Sequence, residues 1–114
     1  MLSQKNRIQK KDDIERIFKK GKSFKEGSLL LKTLKNDLNA SRFGFVVSKK
    51  ISKKAHIRNK IKRRLREIIR LEIKLLKPGT DNLFVALPGL EKKEKFEDFK
   101  EIVGKLLKKA DILP

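Results

Sequence analysis

The stretch SKKISKKAHIRNKIKRRLREIIR, Ser48 to Arg70, holds 11 of the chain's 32 Lys and Arg and a single acid, Glu67. Stepping about 100° per residue from Ile57 resolves it into a helix with two faces. Ile57, Ile61, Leu65, Ile68 and Ile69 fall within roughly 120°, the width of a core-facing stripe. Asn59, Lys62, Arg63, Arg66 and Arg70 fall within about 100°, centred some ~130° away. Arg58 lies at the edge of the apolar arc. Lys60 and Arg64 lie on the opposite flank, where the Arg64 stem can pack against apolar neighbours. A dense array of positive charge is therefore carried on a rigid amphipathic element, not on a disordered tail.

Most charged helix faces are simply solvated, and two features argue against that here. A solvated face mixes signs at i,i+4, whereas Arg58, Lys62 and Arg66 repeat one sign and repel each other. The cations also crowd the first half of the helix, where the dipole favours anions. Phosphate groups would relieve both penalties, aided by the free amides at the helix start. The preceding loop adds four lysines, of which Lys49, Lys50 and Lys53 join the candidate contacts. Arg58 and Asn59 offer a guanidinium fork and an amide that suit phosphate, 2′-hydroxyl or base edges equally. Composition leaves RNA and DNA both open.

The remaining composition narrows the field by exclusion. A chain of 114 residues fits one compact domain, residues 1–114. The net charge of +18 repels itself unless anions gather round it, so affinity for a polyanion should fall steeply with salt. With no cysteine and only His56, thiolate metal sites and serine–histidine chemistry lose their usual residues. His56 itself is given no catalytic role. The longest apolar run, Leu83 to Leu87, is far short of a membrane span, which predicts a cytoplasmic protein with no membrane partner.

Outward from the basic helix, the pattern reads α-β-β-α-β-α. Met1 to Lys11 is a basic arm anchored by Ile8. Asp12 and Glu15 read as a capping box opening a helix with Ile14, Ile17 and Phe18 on one face, closed by a left-handed Gly21. Ser28–Lys35 and Arg42–Ser48 read as strands which, joined by the Asn36–Ser41 turn, should pair antiparallel; a further short strand is placed near Lys50. The basic helix runs to about Leu76, stopped by Pro78-Gly79. Asn82–Leu87 is a short buried strand. A last helix, about Lys93 to Ala110, turns Phe96, Phe99, Val103, Leu106, Leu107 and Ala110 inward. The whole is an α+β sandwich.

The run Arg58-Asn59-Lys60-Ile61-Lys62-Arg63-Arg64-Leu65-Arg66, preceded by Phe45-Val46-Val47-Ser48-Lys49-Lys50, resembles the signature of the bacterial ribonuclease P protein component. Lys60 stands where that family usually has arginine. Ile17-Phe18 and Gly21-Lys22-Ser23 match upstream, so the resemblance covers Asp13 to about Arg70. It implies an αβββαβα fold similar to ribosomal protein S5 domain 2, with a left-handed crossover between parallel strands. It also implies a protein subunit that helps a catalytic RNA remove the 5′ leader from precursor tRNA. Chemistry would then reside in the RNA subunit, which would hold the Mg²⁺. Arg58, Asn59, Lys60, Lys62, Arg63 and Arg66 would face that RNA. A cleft between the first helix and the sheet would grip the leader. Phe18 maps onto one cleft aromatic and should stack on a base or sugar. Ile14 and Lys32 occupy two other usual aromatic positions, with Lys32 exchanging a ring for a phosphate contact. Size and charge alone would equally suit a small ribosomal protein. A DNA-binding recognition helix is less well supported, because no partner helix has helix-turn-helix spacing.

Overall fold

A computed structural model describes residues 2–93 and 95–113, so Glu94, inside the expected last helix, and Met1 of the arm lie outside it. Three helices and four strands follow in the order α1 (Lys11–Lys20), β1 (Lys22–Glu26), β2 (Leu29–Lys35), β3 (Arg42–Val46), α2 (Ala55–Glu72), β4 (Thr80–Ala86) and α3 (Phe96–Lys109). The sheet order is β1-β2-β4-β3. β2 and β3, expected to pair, are separated by β4, which runs antiparallel to β2 and parallel to β3. The sequence of β4 contains the reason. Leu83 and Phe84 are adjacent and both fully buried, so this strand must be covered on both faces and takes a central place. α2 is the crossover that joins parallel β3 and β4.

The fourth strand is β1, not a strand near Lys50, where Lys49–Ile51 forms a turn. A single half-buried phenylalanine, Phe24, among polar neighbours gives β1 little alternation to detect. It is defined by its partner: Glu26 pairs with Leu29 across a two-residue turn in which Gly27 takes φ +57°.

Two other expectations at α1 are overturned. The helix starts at Lys11 with Lys10 as N-cap and no side-chain cap, so Asp12 and Glu15 form no capping box. Asp12 and Asp13 instead sit in the first turn, where they complement the dipole. Gly21 is extended, at φ −72°, not left-handed. Glycine is needed there for space, because a Cβ would lie 2.6 Å from the Ile17 carbonyl oxygen and 3.1 Å from that of Thr33. The α-helical part of α2 ends at Glu72, and Ile73–Leu75 continues as a tighter 3₁₀ turn. α3 matches expectation in its buried face and in its charged ends, with Glu97 and Asp98 early and Lys108 and Lys109 late.

The sheet divides the interior in two. On one face Leu29, Leu31, Phe43, Phe84 and Ala86 pack against Ile61, Leu65, Ile68 and Ile69 of α2 and Phe99, Val103, Leu106 and Leu107 of α3. On the other, Leu83 packs with Ile17 of α1 and with Ile8, while Ile14, Leu34, Val46 and Val85 border them. Full burial of one such side chain contributes about 1.5–3 kcal/mol, so the larger helical layer dominates stability. The arm is pinned twice, by buried Leu2 and Ile8, and Arg7 bridges to Phe43 on the edge strand.

Candidate nucleic-acid interface

Burial of Ile61, Leu65, Ile68 and Ile69 fixes the rotation of α2 and turns its cations away from the core. Asn59, Lys60 and Arg63 are exposed, as are Lys49, Lys50 and Lys53 in the turn before the helix. That turn is held by Ile51, which is buried and whose amide donates to the Ser48 carbonyl at 3.0 Å. Arg58 donates to the Ser52 carbonyl at 3.0 Å, so it braces the loop with one nitrogen. The helix start carries no side-chain cap and no acid in its first turn.

The arginines of α2 are not all equally free. Arg64 lies 5.4 Å from the centroid of Phe99, as expected of a side chain packing its stem. Arg66 lies 5.9 Å from the centroid of Phe45. Arg70, expected with the RNA contacts, is paired with Glu67 through two bonds of 2.6 and 3.0 Å. That partner holds the Glu67 carboxyl below, and the Arg70 guanidinium above, its ordinary range. Among the described residues, Glu67 is the only carboxylate paired with any α2 cation.

Lys62 and Arg66 also line a cavity of about 420 Å³ with Arg7, Gln9 and the edge of β3 at Gly44 and Phe45. The buried Nε of Arg7 has no protein partner there. Nothing local in the sequence points to Arg7, since only its bridge to Phe43 brings the arm beside α2.

The second candidate surface lies across the sheet. Phe18 is 41% exposed at the end of α1. Lys32, on β2, donates to the Phe18 carbonyl at 3.3 Å and places its Nζ 5.7 Å from the ring centroid. Ile14 is half-buried against the smaller cluster. The three expected cleft residues are thus brought together. On the same face of the sheet lies an apolar floor that sequence reasoning did not single out. Leu30, Val85 and Val46 stand side by side on β2, β4 and β3, all half-buried.

Comparisons with known proteins agree along the whole chain. The family model described as Ribonuclease P matches residues 2–111. The ribonuclease P protein component of Clostridium botulinum (strain 657 / Type Ba4) is 37% identical over 108 residues, covering 94% of this chain and 96% of that one. That of Clostridioides difficile (strain 630) is 38% identical over 106 residues, covering 92% and 91%. The solved RNase P protein of Staphylococcus aureus superposes with a TM-score of 0.87 at 29% identity, covering 96% of this chain and 98% of that one. The Thermotoga maritima RNase P protein gives 0.83 at 33% identity, covering 90% and 96%. With the basic helix, the sheet order and the α1 cleft in place, the chain belongs to the ribonuclease P protein family.

Proposed function

We propose that this chain, as the protein subunit of ribonuclease P, binds the catalytic RNA along the outer side of α2 and the 5′ leader of precursor tRNA beside α1. The observation that carries the first half is the near absence of compensating acid. Asn59, Lys60, Lys62 and Arg63 stand together on a rigid helix, and the one carboxylate paired on that helix goes to Arg70. Lys49, Lys50, Lys53, Arg58 and Arg66 extend the same surface. Phosphate oxygens are the complementary partner, and such contacts position an RNA without reading its bases.

The leader reading rests on Phe18 beside Lys32 over an apolar floor. A ring next to an ammonium suits a base that stacks while its phosphate is neutralised. Among the described residues no group of three His, Cys, Asp or Glu side chains converges to hold a metal. In this reading Mg²⁺ is held by RNA phosphates, and the protein contributes binding and positive charge. No helix among the described residues is long and apolar enough to cross a membrane, and we place the protein in the cytoplasm with its RNA.

Reconstitution tests the proposal. The protein and a bacterial ribonuclease P RNA are mixed at low Mg²⁺ and cleavage of precursor tRNA is measured. Stimulation over RNA alone is expected; no stimulation, with the protein folded and RNA-bound, overturns it.

A further inference from the structure

Toward the start of α1, four charged side chains close into a ring. Asp13 and Arg16 come from α1, Arg42 opens β3, and Asp81 stands near the start of β4. Arg42 donates from Nε to Asp81 Oδ1 at 2.8 Å and from Nη2 to Oδ2 at 2.6 Å. Its third nitrogen, Nη1, reaches Asp13 Oδ2 at 3.3 Å. Arg16 Nη2 touches both carboxylates, Asp81 Oδ2 at 3.3 Å and Asp13 Oδ1 at 3.4 Å. Asn36 adds a bond of 2.8 Å to Asp81 Oδ1. The Asp81 side chain is wholly buried, those of Asp13 and Arg42 are 19% exposed, and that of Arg16 is 46% exposed.

The ring ties one particular helix to one particular pair of strands. α1 otherwise has a narrow hold on the sheet, with Ile17 its only fully buried side chain. Apolar contacts alone are non-directional and would let a ten-residue helix slide or roll. Bidentate arginine–carboxylate geometry is directional and fixes both. Phe18 lies on the same rigid helix, about 7.5 Å beyond Asp13 along its axis. The open floor at Val85 lies four residues along β4 from Asp81, about 13 Å away. Asp81, the buried member of the ring, therefore sits too far from the floor to touch a strand bound there.

We infer that Asp13, Arg16, Arg42 and Asp81 are positioning residues that set the height and rotation of Phe18 over the Leu30–Val85–Val46 floor, and so the affinity for the leader. This rests on the leader reading above. Asp13 separates positioning from simple charge. RNA is a polyanion, so removing an acid by electrostatics alone should tighten binding or, beyond a Debye length of about 8 Å, leave it unchanged. Positioning requires the opposite sign.

The test uses the reconstituted holoenzyme with D13N, R16Q, F18A and, as a control for charge and helix dipole, D12N. Binding is measured for precursor tRNA with a leader and for the same tRNA without one, and folding is checked by thermal melting. D13N and R16Q should each weaken the leader-bearing RNA about three- to fivefold, the size of one partly exposed ion pair, and leave leaderless RNA unchanged. D12N should weaken neither. R16Q also removes a cation, so its effect counts for positioning only if it persists at high salt, where a direct phosphate contact is screened. Read that way, it carries the test if D13N melts. The inference is overturned if both folded variants bind the leader-bearing RNA as tightly as wild type, or lose both RNAs equally. Weakening by F18A but not by the ring variants removes the positioning role and keeps the cleft. No effect of any variant on leader binding removes both.

Discussion

Arg66 rests on Phe45, its guanidinium carbon 5.9 Å from the ring centroid, and Phe45 in turn stacks on Phe84 at 5.9 Å with the rings 7° from parallel. One cation of the proposed phosphate row is therefore propped on the aromatic layer of the sheet, whereas its neighbour Arg63 projects into solvent. The two look equivalent on a helical wheel and differ in the structure.

That difference is measurable. Arg63→Ala should leave the melting temperature unchanged, since surface substitutions fall within about 0.5 kcal/mol. Arg66→Ala should lose about 0.5–1 kcal/mol through the lost cation–π contact. Both should weaken RNA binding and reduce its salt slope by roughly one unit. Equal stability of the two variants would refute the propping role, and an unchanged slope would remove the phosphate contact.

Phe18→Ala should have little effect on stability, because the side chain is already 41% exposed. Its cost should appear in leader binding, at about 1–3 kcal/mol if a base stacks on the ring. Lys32→Ala removes the ammonium beside that ring, and its loss should shrink as salt is raised. A Phe18→Ala protein that binds leader-bearing and leaderless tRNA in the wild-type ratio would show that the ring contacts no nucleotide.

How much of this was legible in the sequence divides along range. The stripe of α2 and the inward face of α3 follow from local periodicity, and they stand as read. The pairing of β2 with β3 was misread because a short loop favours neighbours, while the doubly buried Leu83-Phe84 pair required the centre of the sheet for β4. β1 was missed because only its partner defines it. At the interface, type and sign of charge were readable, but the pairing of Arg70 with Glu67, the seat of Arg66 and the approach of Arg7 depend on rotamers and tertiary contacts. Asp81 gave no signal, since its partners come from positions 16, 36 and 42.

Gly21→Ala tests the corrected reading of the α1–β1 junction. Both neighbouring oxygens belong to the backbone and cannot swing aside, so the added methyl should destabilise by about 1–3 kcal/mol, as overpacking does. Were the glycine instead a left-handed cap, asparagine there would be well tolerated. Denaturant melts of the two variants decide, and a near-wild-type Gly21→Asn protein would reinstate the cap.

Burial alone would raise the Asp81 carboxyl, but hydrogen bonds from Arg42 and Asn36 and the charges of Arg42 and Arg16 outweigh it and hold the group below the usual range. A depressed folded value means stability that is complete above the ordinary aspartate range near ~3.9 and lost as pH falls through the folded value. Carboxyl NMR titration should place the Asp81 midpoint below the ordinary aspartate value near ~3.9. A midpoint above it would reverse the sign, and the protein would gain from acidification at this site.

The crossover from β3 through α2 to β4 has a mechanical consequence. Both ends of the cationic helix are joined to adjacent strands of one sheet, and the same two strands supply Val46 and Val85 on its far side. Two surfaces on opposite sides of a single slab thereby keep a constant separation, like the jaws of a locked calliper. Under the proposed function, a tRNA gripped at its leader would be presented to the ribozyme at one fixed offset.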